Sequence, residues 1–239
     1  MNNRNLLIVS TSTVHGNGYL GYCEDTIKEF FMGVDEVLFI PYARPGGITH
    51  SEYTAIAKKK FNELGFKMRG LHEFDNPKNA LLSAKGVFTG GGNTFVLLDQ
   101  LQKLDLIETI QSRVKIGMRY MGTSAGSNIT GLTINTTNDM PIAHPKSLNA
   151  LALVPFNLNP HYLDPDPNSK HMGETRETRI KEFHTYNPQI VIGLREGSWL
   201  SVKENTIVLG GELSARVFIQ GKEPYELTPN DDFSFLLNR

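Results

Sequence analysis

Short runs of β-branched and other apolar residues alternate along the first half of the chain with longer segments in which apolar residues recur every three or four positions. The short runs, at 5–10 (NLLIVS), 36–40 (EVLFI), 67–71 (KMRGL), 86–89 (GVFT) and 115–121 (KIGMRYM), predict strands. The longer segments, at 22–32, 51–64, 94–103 and 106–114, have the length and periodicity of crossover helices. A β-α-β-α-β order implies a mostly parallel sheet flanked by helices, with ligands at the carboxyl ends of its strands. Beyond residue 133 the pattern changes to loops rich in Pro, Asn and Asp, one helix near 175–186, and closely spaced strands at 189–194, 198–202, 206–209 and 215–220. Those strands are expected to extend the same sheet in antiparallel fashion. No linker, repeat or low-complexity segment interrupts the pattern, so one α/β domain over 1–239 is expected.

Two predicted strands run directly into glycine-rich turns, Gly90-Gly91-Gly92-Asn93 and Gly122-Thr123-Ser124-Ala125-Gly126. The second fits G-x-S-x-G, in which a sharp strand-to-helix turn lifts a serine hydroxyl above the sheet and small neighbours allow the close backbone approach. The same letters also describe a plain tight turn, so Ser124 needs partners. A serine alcohol is a weak nucleophile unless a base reaches it and a third group orients that base.

Of the seven histidines, His184 and His72 read as surface or packing residues. His161, in Asn159-Pro160-His161-Tyr162, follows an apolar lead-in and a stiffening proline, whereas His15 and His50 compete from glycine-rich loops that also follow strands. Asp139 and Glu196 are the candidate orienting acids. Each also reads as a turn acid beside Pro or Gly, and spacing does not choose between them. Gly91 and Gly92 can aim backbone amides at a developing oxyanion, with the amide of Ala125 as their partner. A phosphate-binding turn is disfavoured, because no lysine follows the glycines as a P-loop requires. Arg176 and Arg179 lie three residues apart at a predicted helix start, where cations oppose the helix dipole. They read either as part of a solvated Glu–Arg face or as a fork held for a carboxylate ligand.

Composition narrows the classes. A formal net charge of −1, with no run of five like charges, leaves no electrostatic footprint for nucleic acid or an anionic membrane. One cysteine, Cys23, makes neither an internal disulfide nor a cysteine-rich zinc site and suits a reducing, cytoplasmic setting. The apolar run at the amino terminus is too short for a signal or membrane segment. No histidine pair has helical zinc-site spacing, so neither metal nor cofactor is expected.

Taken together, the segments LLIVSTSTVHGNGYL, FTGGGNTF, MGTSAGSNI, TTNDMPI, NPHYLDP, GETRETRIKEF and IGLREGSWL, in this order and over nearly the whole chain, resemble the peptidase E family of cytosolic α-aspartyl dipeptidases. The resemblance implies a class I glutamine amidotransferase-like, flavodoxin-like fold with serine in place of the elbow cysteine. It implies hydrolysis of Asp-X dipeptides through an acyl-enzyme on Ser124, with His161 as base. The third triad position has two assignments in the family, matching Asp139 and Glu196, and Glu196 is favoured because the strand before it ends at the site. Gly91, Gly92 and Ala125 match the oxyanion hole. Arg176, Arg179 and Asn93 are the substrate-binding candidates, with Arg176 preferred for the substrate aspartate. The competing expectations are a cyanophycinase-like β-aspartyl peptidase, a general serine esterase and a binding protein without activity. A small peptide is the expected partner, and the chain is expected to act as a monomer or homodimer.

Overall fold

The computed structural model describes residues 3–166, 168, 170 and 173–237. Strands β1 (Asn5–Val9), β2 (Glu36–Ile40), β3 (Lys67–Gly70), β4 (Gly86–Thr89) and β5 (Arg119–Thr123) form parallel pairs, and β8 (Trp199–Lys203) and β9 (Thr206–Gly210) join antiparallel, giving the order β3-β2-β4-β5-β1-β8-β9. Helices cover both faces of the parallel part, so β4 is buried along its whole length and β1 and β5 are buried at every position but the first. On one face lie α1 (Glu24–Phe30) and α2 (His50–Glu63), closing an aromatic-rich layer of Phe31, Phe39, Tyr53, Phe61 and Phe88. On the other lie α3 (Pro77–Ser83), α4 (Thr94–Lys103), α5 (Ile107–Lys115) and the single turn α6 (Ala125–Asn128).

Local sequence sets the helix ends. Thr49 and Glu52 form a capping box at the start of α2, and Asn93 caps α4 by accepting the Val96 amide at 3.1 Å. The segment expected as one strand over 115–121 divides: α5 continues through Lys115, Gly117 turns the chain at φ 108°, and the strand starts only at Arg119.

The largest difference from the sequence reading concerns the tail. Only β8 and β9 extend the main sheet; β6 (Asn157–Pro160), β7 (Val191–Leu194), β10 (Ala215–Phe218) and β11 (Tyr225–Leu227) form a separate four-stranded sheet in the order β11-β10-β7-β6. Within it β6 and β7 run parallel, linked through a long connection that contains α7 (Arg176–Phe183). Strand β6, NLNP, escapes a periodicity search because asparagines hold two of its four positions. Both are buried and hydrogen-bonded: Asn157 Oδ1 accepts the Thr133 amide at 3.0 Å, and Asn159 Nδ2 donates to Thr136 O at 2.8 Å, although Asn159 Oδ1 has no partner among the described residues. Among the described residues no helix is long and apolar enough to cross a membrane.

Candidate functional site

The turn after β5 places Ser124 at φ 52° and ψ −111°, a backbone conformation that a non-glycine residue holds only when its surroundings impose it. The surroundings are tight. A Cβ on Gly122 would lie 2.3 Å from Gly126 O, and one on Gly126 would lie 2.2 Å from Thr89 O, so both flanking glycines are required by backbone contact. Ser127 locks the turn from beneath, its hydroxyl lying 2.6 Å from Val9 O and 2.7 Å from Gly122 O, while Tyr120 Oη donates to Gly126 O at 2.8 Å.

His161 follows β6 and also has a positive φ, 53°. Its Nε2 lies 2.9 Å from Ser124 Oγ and its Nδ1 lies 2.6 Å from Glu196 Oε1. Ser10, fully buried at the end of β1, ties the two loops together: its hydroxyl accepts the His161 amide at 2.9 Å and donates to Leu194 O at 2.8 Å, two residues before Glu196. Next to Glu196, Arg195 donates from Nε and Nη2 to Asp164 at 2.8 and 2.7 Å and from Nη1 to Glu226 at 2.8 Å. That fork clamps the segment after His161 to the one carrying Glu196. None of Ser10, Arg195 or Asp164 has a sequence signal beyond polar residues near strand ends.

The other acid goes elsewhere. Asp139 Oδ2 accepts the Thr94 amide at 2.7 Å and the Thr94 hydroxyl at 2.6 Å, so it braces the start of α4 and makes no hydrogen bond to His161. Asn93 also holds the local structure, capping α4 through Oδ1 and donating from Nδ2 to Met140 O at 2.8 Å. Gly91 packs on the nucleophile turn, where an added Cβ would lie 3.0 Å from Ser124 Cβ. Gly92, at φ 147°, abuts Ala43 so closely that a Cβ would meet its carbonyl oxygen at 2.2 Å. Among the described residues the amides of Gly91, Gly92 and Ala125 donate no hydrogen bond.

Ser124, His161, Ala125, Asn128, Asp139 and Arg176 line one cleft of about 280 Å³, together with Thr94, Thr137, Asn138 and Pro160. Arg176 is half-buried and makes no ion pair with the described residues. Burial lowers its pKa from the usual arginine value, the nearby Arg179 adds to this, and Asp139 opposes it. The group stays charged at any neutral pH. Arg179 is exposed, lies 3.7 Å from a Glu174 carboxylate oxygen, and faces a neighbouring cleft rather than the one containing Ser124. The remaining histidines stand apart from this line: His184 Nε2 bonds Gln189 O, His50 and His72 meet edge to face, His15 and His144 lie exposed in loops, and His171 lies outside the described residues. Among the described residues no three His, Cys, Asp or Glu side chains group as metal ligands.

Comparison with known proteins identifies the family of the chain. The chain matches the profile of Peptidase family S51 over residues 6–210. It is 47% identical over 234 residues to "Peptidase E" of Streptomyces coelicolor, covering 98% of this chain and 95% of that one. It is 44% identical over 239 residues to the "Probable alpha-aspartyl dipeptidase" of Drosophila melanogaster, covering 99% and 98% of the two chains. The crystal structure of a peptidase from an acI-B1 actinobacterium shares the fold, with a TM-score of 0.73 at 18% identity over 98% of this chain and 97% of that one. A profile match across most of the chain and full-length relatives at this identity establish that the chain belongs to peptidase family S51.

Proposed function

We propose that the protein is a serine dipeptidase that cleaves dipeptides with an N-terminal aspartate. The observation that carries the reading is the hydrogen-bonded line Ser124–His161–Glu196 opening onto a cleft that also holds an unpaired Arg176. Ser124 Oγ attacks the aspartyl carbonyl while His161 Nε2 takes its proton, and Glu196 holds the imidazole and stabilises its cation. The oxyanion forms against the amides of Ala125 and of Gly91 or Gly92, which have no competing acceptor. His161 returns the proton to the leaving amine. Water, deprotonated by the same histidine, then releases aspartate from the acyl-enzyme.

Arg176 receives the aspartyl β-carboxylate. A neutral side chain there leaves a partly desolvated guanidinium without a partner, which disfavours Leu or Ala at this position. Asp139 spends one carboxylate oxygen on Thr94, and its position in the cleft suits attraction of the substrate ammonium. The reading carries with it a cytoplasmic location, supported by the one free, buried cysteine, and action as a monomer or homodimer. A single domain over 1–239 is supported by one apolar cluster that runs through both sheets, from Leu6 and Ile8 to Ile192 and Val217.

The test compares Asp-Leu, Ala-Leu, β-Asp-Arg and p-nitrophenyl acetate in wild type and in Arg176→Met. The expected result is selective turnover of Asp-Leu that falls about 10–100-fold in kcat/KM on replacement of Arg176, the worth of one charge-assisted contact. Preference for β-Asp-Arg points to a cyanophycinase-like enzyme. Ester turnover without Asp-Leu cleavage points to an esterase, and either overturns the proposal.

A further inference from the structure

An Asp-X dipeptide carries two carboxylates, one in the acyl half and one at the C-terminus of the leaving half, on opposite sides of the scissile bond. Two guanidinium groups, Arg176 lining the Ser124 cleft and Arg44 linked through Tyr53 to the adjacent Gly91 turn, match that pattern. Arg44 and Arg176 make neither an ion pair nor a hydrogen bond to a carbonyl among the described residues. The other described arginines all pair with carboxylates or donate to backbone carbonyls.

Arg44 sits in the loop after β2, with its Cζ 4.8 Å from the centre of the Tyr53 ring. The Tyr53 hydroxyl donates to Gly91 O at 3.1 Å, and Gly91 packs directly on Ser124. The backbone of the loop is pinned to the same glycine turn, since Ala43 O accepts the Asn93 amide at 2.7 Å. Arg44 is therefore exposed yet held, attached through two contacts to the oxyanion side of the nucleophile. Its ring partner belongs to a different apolar layer from the one beside the Arg176 cleft. Tyr53 belongs to the apolar layer beneath α1 and α2, whereas Ala125 and Ile129 belong to the layer on the α4 side, where the Arg176 cleft opens.

Resting on the dipeptidase reading, we infer that Arg44 binds the C-terminal carboxylate of the leaving residue and thereby restricts the enzyme to dipeptides. Arg44 interacts with the Tyr53 ring and hydroxyl, and because a guanidinium carries five N–H donors the rest of its fork is left for a planar carboxylate. A tripeptide places a neutral amide at that point, so the cation loses its partner and the peptide extends into the loop. Nothing in the sequence marks Arg44, because PYARPGG reads as an ordinary turn with a solvated arginine.

The experiment measures kcat/KM for Asp-Leu and for Asp-leucinamide, which lacks only the carboxylate charge, in wild type, Arg44→Met and Arg44→Lys. Wild type is expected to prefer Asp-Leu by about 10–100-fold, as one charge-assisted hydrogen-bonded contact provides. Arg44→Met loses that preference, chiefly through KM, and Arg44→Lys recovers part of it. Because the side chain is exposed, both variants are expected to unfold at the wild-type temperature, which a thermal melt checks. A variant that keeps the preference, or one that slows both substrates equally, overturns the assignment of Arg44 while leaving the dipeptidase reading in place. Wild type that cleaves neither compound overturns the dipeptidase reading and this inference with it.

Discussion

Replacing Glu196 with glutamine tests how much an exposed acid contributes behind a catalytic histidine. Glu196 Oε1 lies 2.6 Å from His161 Nδ1, yet its side chain is 55% exposed and that of His161 is 36% exposed. Where a serine protease buries the third member, exchanging that aspartate for its amide costs about 10⁴ in kcat, because the pinned amide selects the wrong imidazole tautomer. Neither cause applies fully here. An exposed glutamine side chain is free to rotate its carbonyl oxygen toward Nδ1–H and keep the tautomer. The lost charge acts through solvent, so a charge-assisted bond of roughly 1.5–3 kcal/mol is reduced to about 1–1.5 kcal/mol. The expected loss in kcat for Asp-Leu is then about 10-fold. Glu196→Ala, which removes the acceptor as well, is expected to lose more. Asp139→Ala is expected to lower kcat less than Glu196→Ala does and to act mainly on KM, because Asp139 supports α4 and the cleft. Steady-state kinetics on the purified variants, with thermal melts to establish folding, provide the check. A Glu196→Gln enzyme as inactive as Ser124→Ala, or one indistinguishable from wild type, would refute the reasoning.

The turn at Ser124 and the ion cluster behind Glu196 give two further outcomes. Ser124→Ala and Ser124→Gly are both expected to abolish hydrolysis, but the glycine variant should be the more stable by about 1 kcal/mol, since glycine accepts φ 52°, ψ −111° without strain; equal unfolding midpoints in denaturant would contradict this. At Glu226, burial raises the carboxyl pKa, but hydrogen bonds from Arg195, Ser214 and Arg216 outweigh it and hold the group down at about 2, below its ordinary value of 4.5. A depressed folded-state pKa contributes stability that is present above pH 4.5 and is lost as pH falls toward 2. Discounted for its 35% exposure, the contribution is about 1–2 kcal/mol, so Glu226→Gln should be less stable than wild type at neutral pH and should flatten the acid limb of a melting-temperature profile.

Much of this protein is legible in its linear pattern, because the features concerned are local. Fully buried parallel strands must be continuous apolar runs, so β1, β2 and β4 stand out by composition alone. A turn that brings Gly122 and Gly126 into backbone contact must be written with glycines, so the elbow around Ser124 is visible as letters. The carboxyl-edge rule then turns residues after predicted strands into candidates, Glu196 among them, whereas His161 is marked by an apolar lead-in and the stiffening Pro160. Other features are relations between distant segments and leave no local trace. His161 and Glu196 are separated by 35 residues, and only the parallel pairing of β6 with β7 sets their loops side by side, whereas Asp139, closer in sequence, is drawn to α4 by the Thr94 amide and hydroxyl. The second sheet was hidden for a similar reason: an asparagine-rich strand is stable only once tertiary contacts satisfy its buried amides. Whether an arginine is free or paired is likewise a matter of what the folded chain brings near it, which is why Arg179 lies 3.7 Å from Glu174 while its near neighbour Arg176 is left facing the cleft.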